Sequence, residues 1–83
     1  MYFVYVLQST LKRKFYIGYT ENLERRMVEH QNKHSVFDRT YGPFNLVLVE
    51  EHQTKLEAMK REKEIKSYKG GNSFRDLLAG APR

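Results

Sequence analysis

Three observations predict a single α/β (α+β) domain, a three-stranded and mainly antiparallel sheet flanked by about three helices. Two aromatic, β-branched runs, Tyr2 to Leu7 and Phe15 to Tyr19, are joined by a short polar connection, which is the pattern of a hairpin. A third such run, Phe44 to Val49, stands alone between two segments of helical period. The resulting order of strand, strand, helix, strand, helix, helix suits a small sheet with helical cover, and 83 residues are enough for one core only.

The elements follow in order. Tyr2 to Leu7 is apolar at odd and even positions, so it is expected in the centre of the sheet with cover on both faces. Lys12, Arg13 and Lys14 make the hairpin tip basic. Gly18 interrupts the second strand. Glu21 to roughly Lys33 reads as the first helix, with Thr20 or Asn22 able to cap it. The loop from His34 to Gly42 carries Asp38, Arg39 and Tyr41, and Gly42-Pro43 ends it. The third strand is followed by the acidic pair Glu50-Glu51. Thr54 and Glu57 form a capping box that opens the second helix, which runs to about Tyr68. Gly70-Gly71 breaks it, and Asn72 or Ser73 begins a short last helix with Phe74, Leu77 and Leu78 inward. Residues 1–80 are expected to form the domain and 81–83 a tail.

Composition narrows the function classes. There is no cysteine, which removes disulfides and thiolate metal sites. Fifteen basic against ten acidic residues give +5 and a pI near 9.6, a balance that favours polyanionic partners. The longest apolar run is too short for a membrane span or a signal-peptide core, so no membrane association and a cytoplasmic location are expected. Gly-rich phosphate loops and Ser/His/Asp orderings are absent from the sequence.

Three polar positions on two helices conflict with the apolar periodicity. On the first helix, Arg26 and His30 share the stripe of Leu23 and Met27, whereas Arg25 points away. A cation on a core-facing stripe is costly without a partner or a task. On the second helix, Glu62 falls in the sector of Ala58, Met59 and Ile65, while Glu57, Lys60 and Glu64 fall on the solvated side. An inward carboxylate is either a structural ion-pair partner or the ligand of a hard cation. Six tyrosines add a third signal. Tyr5 and Tyr16, on adjacent strands, can bring two phenols together. Phenols, an arginine, a histidine and a carboxylate suit phosphoryl chemistry: the arginine neutralises charge on a phosphate oxygen and a phenol or imidazole manages the proton of water. The hydroxyls of Tyr5 and Tyr16, the Arg26 guanidinium and the Glu62 carboxylate are expected to open onto one cleft.

The pattern resembles the GIY-YIG nuclease superfamily. Tyr16-Ile17-Gly18 is the second half-motif, and Phe3-Val4-Tyr5 stands in the place of the first, keeping its tyrosine without its glycine. Arg26, ten residues after Tyr16, is similar to the family arginine, His30 to a histidine of several branches, and Glu62 to the metal-binding glutamate. Tyr41-Gly42-Pro43, Leu46-Val47 and the run from Glu62 to Lys66 resemble a small single-domain bacterial branch related to the N-terminal nuclease domain of the excision-repair UvrC protein.

The resemblance implies the GIY-YIG endonuclease fold and metal-dependent hydrolysis of DNA phosphodiesters, with a role in repair or recombination. It implies one Mg²⁺ or Mn²⁺ ion held by Glu62 with waters and the substrate phosphate. Tyr5 or Tyr16 would activate water, His30 would assist, and Arg26 would stabilise the pentavalent phosphate. Gly18 would leave room beside Tyr16 for close packing or for a phosphate, and Asn72 is similar to a polar residue that some members place near the site. Lys12, Arg13, Lys14, Arg39, Lys63 and Lys66 are candidates for the DNA backbone. Superfamily nucleases usually carry an added targeting domain, so the resemblance leaves three expectations open: weak DNA binding, recognition of DNA structure alone, or a protein partner that supplies targeting. Two other readings remain open: a nucleic-acid-binding module without turnover, and a protein-interaction adaptor.

Overall fold

The structure is a computed structural model and describes residues 1–32, 39–40, 42–69 and 71–79. Tyr41, the loop residues from His34 to Asp38, Gly70 and the expected 81–83 tail lie outside the described residues. Three strands, β1 (Tyr2–Ser9), β2 (Phe15–Thr20) and β3 (Phe44–His52), form one antiparallel sheet in the order β2-β1-β3. Among the described residues the longer helices are α1 (Leu23–Gln31), α2 (Lys55–Ser67) and α3 (Asn72–Leu78), and Arg39 and Thr40, expected in a loop, are helical as well. The expected three-stranded α+β architecture, with its first strand central, is what the chain adopts.

Alternation along β1 divides the protein into two layers. Val4 and Val6 face α2 and α3, where they form the core with Ala58, Ile65, Phe74 and Leu77. Phe15, Ile17 and Tyr19 of β2 and Leu48 of β3 pack against the same cluster. Tyr5 and Leu7 point to the other face, toward α1. Four consecutive β1 residues, Val4 to Leu7, are therefore buried, because the strand is covered on both sides.

The local signals act as expected at most ends. The Asn22 side chain accepts from the Arg25 amide, so Asn22 and not Thr20 caps α1. Thr54 accepts from the Glu57 amide, and Glu57 in turn accepts from the Gln53 amide, one residue before the cap. Gly71 stands at the N-terminal boundary of α3 without a side-chain cap. Several boundaries differ from expectation: β1 runs on to Ser9 and β2 to Thr20. α1 begins at Leu23, after the cap, and not at Glu21. β3 continues through Glu50-Glu51 to His52 because those residues pair with Val4, Phe3 and Tyr2 of β1, and tertiary pairing overrides the low strand preference of glutamate. The β1–β3 register shifts between Val6 and Leu7, which pair with Leu48 and Leu46 and leave Val47 as an extra residue in β3.

Candidate active site

Strand register builds the site first. Tyr5 on β1 is paired with Gly18 on β2, and Leu7 with Tyr16. Tyr5 and Tyr16 are thus diagonal neighbours on one face, close enough for their rings to stack at 6.1 Å between centroids. A Cβ on Gly18 would lie 2.9 Å from Tyr16 Cε1 and 2.9 Å from the Tyr5 hydroxyl. Gly18 therefore permits close packing of the two phenols, the first of the two uses expected for it.

α1 then lays two polar side chains over the phenols. Arg26 Nε donates to the Tyr5 hydroxyl at 3.2 Å, Arg26 Nη2 donates to the Tyr16 hydroxyl at 3.2 Å, and Arg26 Nη1 donates to Glu29 Oε1 at 2.9 Å. One planar guanidinium thus spans two strands and its own helix, which a point-charge lysine could not do. His30 is buried, with Nε2 3.2 Å from the Tyr5 hydroxyl. Its ring meets Tyr16 edge-on at 4.9 Å and Phe44 at 6.1 Å. With Arg26 donating to the Tyr5 oxygen, the Tyr5 proton has His30 Nε2 as an acceptor whenever the imidazole carries its hydrogen on Nδ1.

Burial decides the chemistry of Tyr5. Its side chain is wholly enclosed, and desolvation pushes the phenol up to about 12 despite the opposing pull of the Arg26 guanidinium. The hydrogen bond to Tyr5 raises Arg26 further above the ordinary arginine range, with Glu29 and Tyr16 adding to it. Tyr5 is a neutral phenol at neutral pH, whereas Tyr16 is only partly covered.

Of the four groups expected to share a cleft, those of Tyr5, Tyr16 and Arg26 meet, and His30 joins them. Among the described residues no hydrogen bond or ion pair joins Glu62 to them. It sits between Ala58 and Ile65 on the sheet-facing stripe of α2, and α2 covers β1 and β2 from the Val4 and Val6 side. Its side chain is 18% exposed, and its recorded ion pair is a loose one, with Lys66 Nζ at 3.6 Å. Glu50 is a contrast: Arg61 donates to both of its oxygens, at 2.8 and 3.0 Å, and to Glu64. Glu62 is sheltered without being locked, and a single such carboxylate is what a Mg²⁺ or Mn²⁺ ion uses when water and phosphate supply its other ligands. Among the described residues no group of three His, Asp or Glu side chains could hold a metal by itself.

The basic candidates are surface residues. Lys12, Arg13, Lys14, Arg39, Lys63 and Lys66 are all exposed, with Lys66 beside Glu62. The hairpin tip is ordered by the Ser9 hydroxyl, which accepts from the Leu11 and Lys12 amides, and by Thr10, whose amide and hydroxyl both donate to the Pro43 carbonyl. Asn72 opens α3, where it accepts from Arg75 at 2.6 Å. Sequence reasoning missed Glu29, whose signal was its place three residues after Arg26. It also missed the contact of Phe44 with His30 and the Glu50–Arg61 pair, which join distant segments and leave no local signal.

Residues 1–74 match the GIY-YIG catalytic domain family. The chain is 43% identical over 67 residues to a UPF0213 protein of Natronomonas pharaonis, covering 80% of this chain and 78% of that one. It is 37% identical over 68 residues to a UPF0213 protein of Staphylococcus epidermidis, covering 81% and 82%. The solution NMR structure of a UPF0213 protein from Bacillus halodurans superposes with a TM-score of 0.55 at 32% identity, over 96% of this chain and 84% of that one. Among the described residues no helix is long and apolar enough to cross a membrane.

Proposed function

This chain belongs to the GIY-YIG family, and from that premise we propose that it is a divalent-metal-dependent DNA endonuclease. The observation that carries the reading is the Arg26 guanidinium bonded to the hydroxyls of both Tyr5 and Tyr16. That arrangement holds a fixed cation at the edge of a polar site, preorganised for the charge that grows on phosphate oxygens as a phosphodiester is attacked.

The two phenols take different parts. Tyr5 is sealed from solvent and held neutral, so it positions Arg26 and His30. Tyr16, the more exposed phenol, is the one assigned to receive the proton of the attacking water, acting as a phenolate with the Arg26 guanidinium as its counter-charge. His30 adjoins both rings and supports this network from the protein side. Glu62 would hold the metal, with Mg²⁺ or Mn²⁺ as candidates, and the bound ion would supply Lewis-acid charge to a phosphate oxygen. DNA would lie along the cationic surface of Lys12, Arg13 and Lys14, with Arg39, Lys63 and Lys66 as further backbone contacts. Repair or recombination substrates, and a partner protein that directs the domain to them, complete the proposal.

A second reading is favoured by one observation: among the described residues no hydrogen bond or ion pair ties Glu62 to the Arg26 cluster. It is a DNA-binding module without turnover. Incubation with branched, flapped, nicked and linear DNAs in Mg²⁺, Mn²⁺ or EDTA separates the two. Metal-dependent cleavage lost in Arg26→Ala supports the nuclease. Binding without cleavage of any DNA at any metal concentration supports the module.

A further inference from the structure

A cavity of about 320 Å³ opens between α1 and the start of β3, with His30, the neighbour of the Tyr5 hydroxyl, in its lining. Leu7, Met27 and Phe44 give it apolar walls, and the imidazole of His30 is one of its sides. The exposed amides of Gln31 and Asn45 stand on its lining, carrying donors and acceptors that need no fixed protonation state. Its size is at the lower end of the range for small organic ligands, ~300–1,000 Å³. None of these residues is needed by the phosphate chemistry above except His30, which the cavity and the cluster share.

Three features of this cavity point to one occupant. Its aromatic and apolar walls suit a flat ring, and two amides suit the hydrogen-bonding edge of that ring. The wall it shares with the Tyr5–Arg26–Tyr16 cluster puts a ring site beside a phosphate site, the two halves of a nucleotide. Pro43, which also lines it, accepts two of the bonds that hold the cationic hairpin tip, so a phosphate backbone at the mouth would pass Lys12, Arg13 and Lys14. We propose that this cavity receives one unstacked nucleobase beside the phosphate handled by Arg26 and Tyr16. The inference rests on the DNA-cleavage reading and adds to it a substrate class: strands in which a base is already unpaired or easily freed, since unstacking is least costly there.

The test uses the intact chain with labelled methyl groups. Deoxyadenosine 5′-monophosphate and 2-deoxyribose 5-phosphate are titrated separately while the NMR signals of Met27, Leu7 and Leu46 are followed. The nucleotide is expected to move those methyls and to bind on the order of tenfold or more tightly than the sugar phosphate, as base stacking on aromatic groups implies. Equal affinities, or methyls that stay in place at saturation, would overturn the proposal, as would an apolar peptide that moves them when the nucleotide does not. Cleavage is read in parallel on branched DNA that has an abasic nucleotide at successive positions around the cut. A rate loss at one position supports the cavity. Cleavage unchanged at every position rejects the cavity and leaves the nuclease standing. Nucleotide-specific methyl shifts without cleavage of any DNA reject the nuclease and leave the cavity.

Discussion

Arg26 Nε lies 3.2 Å from the hydroxyl of Tyr5, joining a helix to the central strand across 21 residues of sequence. A charged group on the inner stripe of α1 is stable there because the strand beneath it supplies an oxygen where an aliphatic side chain would supply none. The Tyr5→Phe variant removes that oxygen and leaves Arg26 Nε and His30 Nε2 without it. A loss of about 1–3 kcal/mol is expected, seen as a melting temperature lower by roughly 4–8 °C per kcal/mol. An unchanged melting temperature would mean that water replaces the phenol at no cost.

Gly18→Ala sets a methyl 2.9 Å from both the Tyr16 ring and the Tyr5 hydroxyl. Overpacking of this kind costs about 1–3 kcal/mol. Adding Tyr5→Phe, which removes one of the clashing atoms, should make the second substitution less costly than it is alone. Additive losses in a double-mutant cycle would show that the two positions do not press on each other.

Stability should depend on pH at both ends of the scale. Arg61 holds the Glu50 carboxyl below its ordinary value of 4.5. A lowered folded-state value means that this contribution is present above pH 4.5 and is lost as pH falls through the depressed value. Tyr5 is raised from 10.0 to about 12, so its contribution is present below pH 10 and is lost as pH rises toward 12. Urea melts across pH should show both limbs. Glu50→Gln should flatten the acid limb only, and Tyr5→Phe the alkaline limb only.

DNA affinity should fall steeply with salt and depend little on sequence. Neutralising Lys12, Arg13 and Lys14 together should reduce the slope of log affinity against log salt by up to about 3, since each phosphate contact contributes roughly 0.9. A slope equal to that of the wild type would make the hairpin tip a solvated loop.

Glu62→Gln separates metal ligand from structural partner. With a loose, half-exposed Lys66 as its ion-pair partner among the described residues, the variant should melt within about 0.5 kcal/mol of wild type without metal. Metal affinity and metal-dependent cleavage should disappear, while DNA binding persists. Mn²⁺ should broaden NMR signals of α2 near Glu62 in the wild type alone. Wild-type cleavage by the variant would remove Glu62 from the site.

Much of the protein was legible in its sequence because the relevant forces are local. Alternation and helical period set the element order and the central place of β1, and the capping box marked Thr54, while the sequence left the first cap between Thr20 and Asn22. Arg26 and His30 on the stripe of Leu23 and Met27 announced a polar site, since a charged group there breaks a pattern that is readable within two helical turns. Other features depended on segments far apart in the chain, and only the tertiary structure decided them. Pairing with β1 drew Glu50 and Glu51 into β3. Packing of α2 brought Arg61 onto Glu50, and the end of α1 met Phe44 to form the cavity beside His30. The wheel of α2 showed that Glu62 turns inward but not which face of the sheet it turns toward. A helical wheel contains the angle of a side chain about its own axis; which layer receives it follows from how the strands and helices pack.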